Sequence, residues 1–79
     1  MKMLVWATAG AADPTKASIP LHVVANGCLE VGHDSALLLA GDAADMIVGD
    51  TADTMEGVGI PPVRELLAKL REHEVPVYV

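Results

Sequence analysis

The one cysteine of the chain, Cys28, is the residue whose type could support nucleophilic or sulfur-transfer chemistry. A reactive cysteine needs solvent access and a group that stabilises the thiolate, such as a cation or a helix N-terminus. The residues around Cys28 offer neither, and the thiol falls near the end of a predicted helix, where the helix dipole disfavours an anion. The sequence therefore favours a structural cysteine, with sulfur transfer through Cys28 as the alternative.

A second candidate site consists of residues that follow two predicted strands. Thr8, Gly10 and Asp13 come after the first apolar run, and Asp42 comes after the second. Ligands of open parallel sheets bind beyond the carboxyl ends of the strands, so these four residues predict a small-ligand crevice. The glycine-rich dinucleotide fingerprint and the lysine–serine pair of phosphate loops are both absent from the sequence, which argues against a nucleotide enzyme.

An acidic segment after the second apolar run raises the question of a cation site, because hard cations bind several carboxylate oxygens. Its spacing matches no EF-hand loop, so we interpret these residues as helix caps and solubilising charges. The sequence predicts no metal site and no cofactor. The acidic residues are Asp42, Asp45, Asp50, Asp53 and Glu56.

The histidines have polar or helix-terminal neighbours. His22 and Asn26 are four positions apart, close enough on a helix to share a hydrogen bond or to line a subunit contact. We interpret this pair as an interface candidate. His33 follows Gly32 at a predicted helix end, where an imidazolium interacts favourably with the dipole, and we interpret it as part of a cap.

Composition restricts the classes of partner and compartment. The chain has 79 residues, a net charge of −6 and five basic residues, which are spread singly and form no cationic stripe for nucleic acid or anionic membranes. We recognise no targeting segment and no membrane span, so cytoplasm is the expected compartment. The length predicts a single small domain over residues 1–79, which would gain stability from homo-oligomerisation.

Three apolar runs, at residues 3–7, 35–40 and 75–79, predict strands. The first run is continuous rather than alternating, which predicts a strand buried on both faces. Trp6 and Tyr78 are the only aromatic residues, so aliphatic side chains must fill the core. The first two strands and the intervening helix predict a βαβ unit with a right-handed crossover.

The first helix is predicted over residues 19–31, with Ser18 as its cap and Pro20 in its first turn. The preceding residues 11–16 carry turn chemistry and predict a loop. Gly32 is placed to end the helix in a left-handed conformation. The predicted buried stripe consists of Leu21, Val24, Ala25 and Cys28.

The second half of the chain predicts a short helix over residues 43–48, capped by Asp42, and broken helix or loop over residues 49–60. A clear helix follows Pro61 and Pro62, with charged residues, including Lys69, on its outer face. The predicted buried stripe consists of Val63, Leu66, Leu67 and Leu70.

A series of short motifs in a fixed order resembles the DsrE/DsrF-like family of sulfur-relay proteins over the whole chain. The resemblance implies an α/β fold of three layers, α/β/α, around a short parallel sheet with a βαβαβ core, usually assembled into dimers, trimers or hexamers. The motifs are Leu4-Val5-Trp6-Ala7-Thr8-Ala9-Gly10, Asp13-Pro14, Gly32-His33-Asp34, Leu39-Ala40-Gly41-Asp42-Ala43, Gly57-Val58-Gly59, Pro61-Pro62 and Val77-Tyr78-Val79.

In many proteins of this family, a cysteine just past the third strand accepts persulfide sulfur and passes it to a partner. This sequence ends at Val79, about where that cysteine would begin. A designed fragment, a shortened gene or a UGA codon read as stop would each explain such an end. We therefore expect a truncated, catalytically incomplete homo-oligomer with no catalytic residue of its own and a sulfur-relay protein as a candidate partner. A second copy would then have to cover the apolar third strand. The predicted contact residues are His22, Asn26, Val77, Tyr78 and Val79.

Overall fold

The computed structural model describes residues 2–79 and contains a parallel sheet of three strands in the order β1-β2-β3. The strands are β1 (Lys2–Ala7), β2 (Asp34–Leu39) and β3 (Val77–Tyr78). Both neighbouring pairs are parallel, which confirms the predicted parallel α/β class and the pairing of the first two strands. The third strand is shorter than predicted.

One face of the sheet packs against the helices. Side chains alternate between the two faces of a strand, and the register aligns Val5 with Leu37 and Leu37 with Val77. These residues, together with Ala7 and Leu39, belong to or pack against the hydrophobic core that the helices complete. Two right-handed crossovers made in the same direction across a sheet place both helices on one side, which explains this arrangement.

The opposite face, called the open face below, consists of Leu4, Trp6, Ala36, Leu38 and Tyr78. The register places Leu4 beside Ala36, and Leu38 between Trp6 and Tyr78. No helix among residues 2–79 covers these side chains, and Leu4, Trp6 and Tyr78 are exposed. The prediction that the first strand is buried on both faces is therefore wrong, because a continuous apolar run does not reveal how many faces are covered.

The first helix, α1 (Pro14–His22), starts five residues earlier than predicted. The Asp13 carboxylate accepts a hydrogen bond from the Lys16 backbone N–H at 3.1 Å, and Pro14 occupies the first turn, where its missing N–H has no consequence. Ser18, the predicted cap, is instead a buried helix residue whose hydroxyl donates to the Pro14 carbonyl. Two cap-and-proline signals lie close together, and the upstream pair determines the start.

A π-helical segment, Val23–Cys28, continues α1. Its wider turn is visible in the hydrogen bond from the Leu29 backbone N–H to the Val24 carbonyl oxygen, 3.1 Å long. The predicted stripe is confirmed, because Leu21, Val24, Ala25 and Cys28 are all buried.

The segment between β2 and the last helix forms two 3₁₀ helices, Gly41–Ile47 and Thr51–Thr54. Asp42 lies in the first turn of the first 3₁₀ helix rather than capping it from outside. The last helix, α2 (Val63–Glu72), begins directly after Pro62, as predicted. Val63, Leu66 and Leu70 are buried and Leu67 is half-buried. None of the helices in the described part of the chain has the length and apolar character needed to cross a membrane.

Candidate functional site

The predicted ligand crevice is filled by the chain itself. β1 and β2 end side by side, which brings Gly10 against the backbone of Asp42. A Cβ at Gly10 would meet the Asp42 carbonyl oxygen and lie 2.6 Å from the Asp45 carboxylate. The Ala11 backbone N–H donates to the same carboxylate at 3.4 Å. The first 3₁₀ helix thus occupies the space where the sequence predicts a ligand.

Of the other two crevice candidates, Asp13 lies beside Gly10, because its backbone N–H donates to the Gly10 carbonyl at 3.0 Å. Asp13 is engaged in capping α1, and Thr8 is exposed. The structure therefore brings Gly10 into contact with both Asp42 and Asp13, while the Asp13 carboxylate serves the helix cap. The contact of Asp45 with Gly10 and Ala11 was not predicted from the sequence, because it depends on how the 3₁₀ helix returns over the end of β1.

Cys28 is buried, with 4% of its surface exposed. Its Sγ donates to the Sδ of Met3 on β1, at a distance of 3.6 Å. This neighbour is a weak acceptor in an apolar setting and does not stabilise a thiolate. Its burial fits the structural interpretation.

His22 and Asn26 do share the predicted hydrogen bond, with 2.9 Å between His22 Nδ1 and Asn26 Nδ2. Lys69 of α2 donates to the Asn26 Oδ1 at 2.6 Å and pairs with Glu30 at 3.4 Å. Since an ammonium only donates, the Asn26 oxygen must face Lys69 and its NH₂ group must face His22. His22 Nδ1 is then the acceptor. The hydrogen bond from Lys69 to Asn26 connects α2 to the helix that α1 begins, within one chain.

The acidic residues do not gather into a cation site. Among residues 2–79, no three His, Cys, Asp or Glu side chains lie close enough together to hold a metal ion. Glu56 forms a salt bridge with Arg64 at 3.5 Å, and the Asp53 carbonyl accepts a hydrogen bond from Arg64 at 3.2 Å.

No family model matches this sequence, and no curated protein or solved structure matches it significantly. The relation to the sulfur-relay family therefore stays a prediction from the sequence motifs.

A pocket of about 370 Å³ lies between the two 3₁₀ helices, α2 and β3. Arg64 and Arg71 line it from α2, and Asp53 lines it from the second 3₁₀ helix. The charged residues of α2 were predicted to lie on its outer face, and this pocket was not predicted. A usable signal was present, because Arg64 and Arg71 are seven positions apart and so lie on the same side of the helix.

The predicted contact residues of the third strand occupy different environments. Val77 is half-buried and packs against the core on the helix side of the sheet. Tyr78 belongs to the open face, and Val79 is exposed beyond the strand. Among these three residues, Tyr78 is the one that extends a continuous apolar surface across the sheet.

Proposed function

We propose that this chain is a self-associating, non-catalytic module of the sulfur-relay type, and that a second copy covers its open face. The observation that carries the proposal is the exposure of three large side chains on one sheet face: Leu4 by 55%, Trp6 by 62% and Tyr78 by 56%. Contiguous exposed apolar patches of this kind mark interaction surfaces.

A second copy suits this face because the face is electrically balanced. The charged residues that border it on the same side of the sheet are Lys2 and Asp34, which are register partners at the amino-terminal ends of β1 and β2. The chain as a whole carries a net charge of −6, so most other pairings of its surface would bring like charges together. A two-fold contact through the open face opposes identical apolar patches without that repulsion and closes the assembly.

The expected contact is small. Specific interfaces typically bury about 800 Å² on each partner, whereas this sheet is three strands wide and β3 adds only two residues. We therefore expect a dimer that forms at micromolar concentrations. Its two sheets would stack about 10 Å apart with the helices outside. A helix from a sulfur-relay partner over the open face, giving the predicted three layers, is the competing arrangement.

Trp6→Lys is expected to convert the dimer to a monomer that remains folded. The side chain is mostly exposed in the single chain, so a lysine there has little effect on folding but places a charge within the contact. Sedimentation velocity from low to high micromolar concentration measures the association, and circular dichroism follows folding.

Val58→Lys is the matched control, because Val58 is an apolar residue exposed by 85% in a loop away from the open face. This variant should associate like the unaltered protein. A monomeric unaltered protein at high micromolar concentration contradicts the proposal, as does unchanged association of Trp6→Lys.

Cys28 is expected to take up no sulfur in the folded protein. Sulfur transfer would require the Cys28 thiolate to attack the outer sulfur of a persulfide donor, whose thiol would leave as its thiolate. The thiol of Cys28 is buried against Met3, so the donor cannot reach it in the folded protein. Intact-mass spectrometry after incubation with a persulfide donor measures the adduct, and rapid alkylation of Cys28 in denaturant is the control. A one-sulfur adduct on native Cys28 would support the alternative, sulfur transfer by this chain.

A further inference from the structure

We infer that the pocket between the 3₁₀ helices and α2 binds a small carboxylate with an apolar body. This site, the arginine pocket, is separate from the predicted crevice at Gly10 and from the open face. Its volume of about 370 Å³ falls in the range typical of small-molecule sites, about 300–1,000 Å³. Its apolar lining includes Met46, Leu67, Leu70, Val75 and Val77.

The two arginines of the pocket differ in what they contact. Arg64 is held by the Asp53 carbonyl and by the Glu56 carboxylate. Among residues 2–79, the Arg71 guanidinium makes no salt bridge and no side-chain hydrogen bond. Arg71 is therefore the pocket cation whose donors are free for a ligand.

The separation of the arginines fixes the shape of the site. Seven residues of α-helix rise by about 10 Å, so Arg64 and Arg71 border opposite ends of a surface formed by Leu67 and Ala68. A ligand whose charged end reaches Arg71 would lay its apolar part along this surface.

The chemistry of the lining favours a monoanionic carboxylate. A guanidinium binds a carboxylate through two parallel hydrogen bonds, and the apolar lining accommodates an aliphatic or aromatic body. Asp53 lines the other end of the pocket, beside Arg64, and the net charge of −6 of the chain opposes a second negative charge on the ligand, such as that of a phosphate monoester. The bound group is thus singly charged at one end and apolar at the other.

The test is an NMR titration of the ¹⁵N-labelled protein with octanoate. We expect shifts in the backbone amides of Ala68, Arg71 and Val75. Octanol, which lacks the charge, and acetate, which lacks the apolar body, should both bind much more weakly. Arg71→Gln should lower octanoate affinity about tenfold or more, because it removes a charge-assisted hydrogen bond.

Lys16→Gln is the matched control: it removes the same charge from an exposed position on α1 and should leave octanoate affinity unchanged. Trp6→Lys should also bind octanoate normally, so the pocket and the dimer fail or succeed independently. Unchanged affinity in Arg71→Gln overturns the inference. Equal binding of octanol, or octanoate shifts centred on Leu4 and Tyr78, does so as well.

Discussion

Replacing Leu66 with alanine is expected to lower the free energy of unfolding by about 2–5 kcal/mol. Leu66 is 2% exposed and belongs to the core between α2 and the sheet. Truncation removes buried methyl groups and leaves a cavity that a close-packed interior fills only in part. A chain of 79 residues is expected to have a free energy of unfolding of roughly 4–12 kcal/mol, at about 0.05–0.15 kcal/mol per residue. The expected loss is therefore a large part of the total stability.

Leu67→Ala provides the matched comparison, since it makes the same chemical change one position along the same helix. Leu67 is half-buried and lines the arginine pocket, so less packing is lost. Chemical denaturation of both variants should rank Leu66→Ala as clearly the more destabilising. Equal losses would mean that α2 does not present Leu66 to the sheet as described.

Gly10→Ala is expected to destabilise the protein by about 1–3 kcal/mol, although it adds a single methyl group. That methyl would meet the Asp42 carbonyl oxygen and the Asp45 carboxylate. The carboxylate could swing away, but the carbonyl belongs to the backbone of the first 3₁₀ helix and moves only with that helix. The strain should therefore appear as a lower midpoint in thermal or chemical unfolding.

Gly27→Ala is the control for this change. Gly27 lies in the π-helical segment, and a Cβ there would meet nothing within 4 Å. Alanine also restricts the unfolded chain more than glycine does, so this variant should be neutral or slightly stabilising. If Gly10→Ala proves as harmless as Gly27→Ala, the close contact between Gly10 and the 3₁₀ helix does not exist in solution.

The candidate sites show which contacts can be predicted from the spacing of residues along the sequence. The hydrogen bond between His22 and Asn26 was predictable, because four residues of helix determine its geometry. Lys69, which completes that network, lies 43 residues from Asn26 and was not predictable from local spacing. The contact between Asp45 and Ala11 spans 34 residues and was missed for the same reason.

The sequence by itself determined the parallel class of the sheet, the pairing of its first two strands, the helix after Pro62 and the buried stripe from Leu21 to Cys28. These features follow from local periodicity and from the chemistry of proline and caps, which act within a few residues. The tertiary structure decided how many faces of the sheet are covered. Leu4 and Val5 are both apolar neighbours in one strand, yet only Val5 meets the helices. Which face lies open depends on the direction of both crossovers, a property of the whole chain that no single segment encodes.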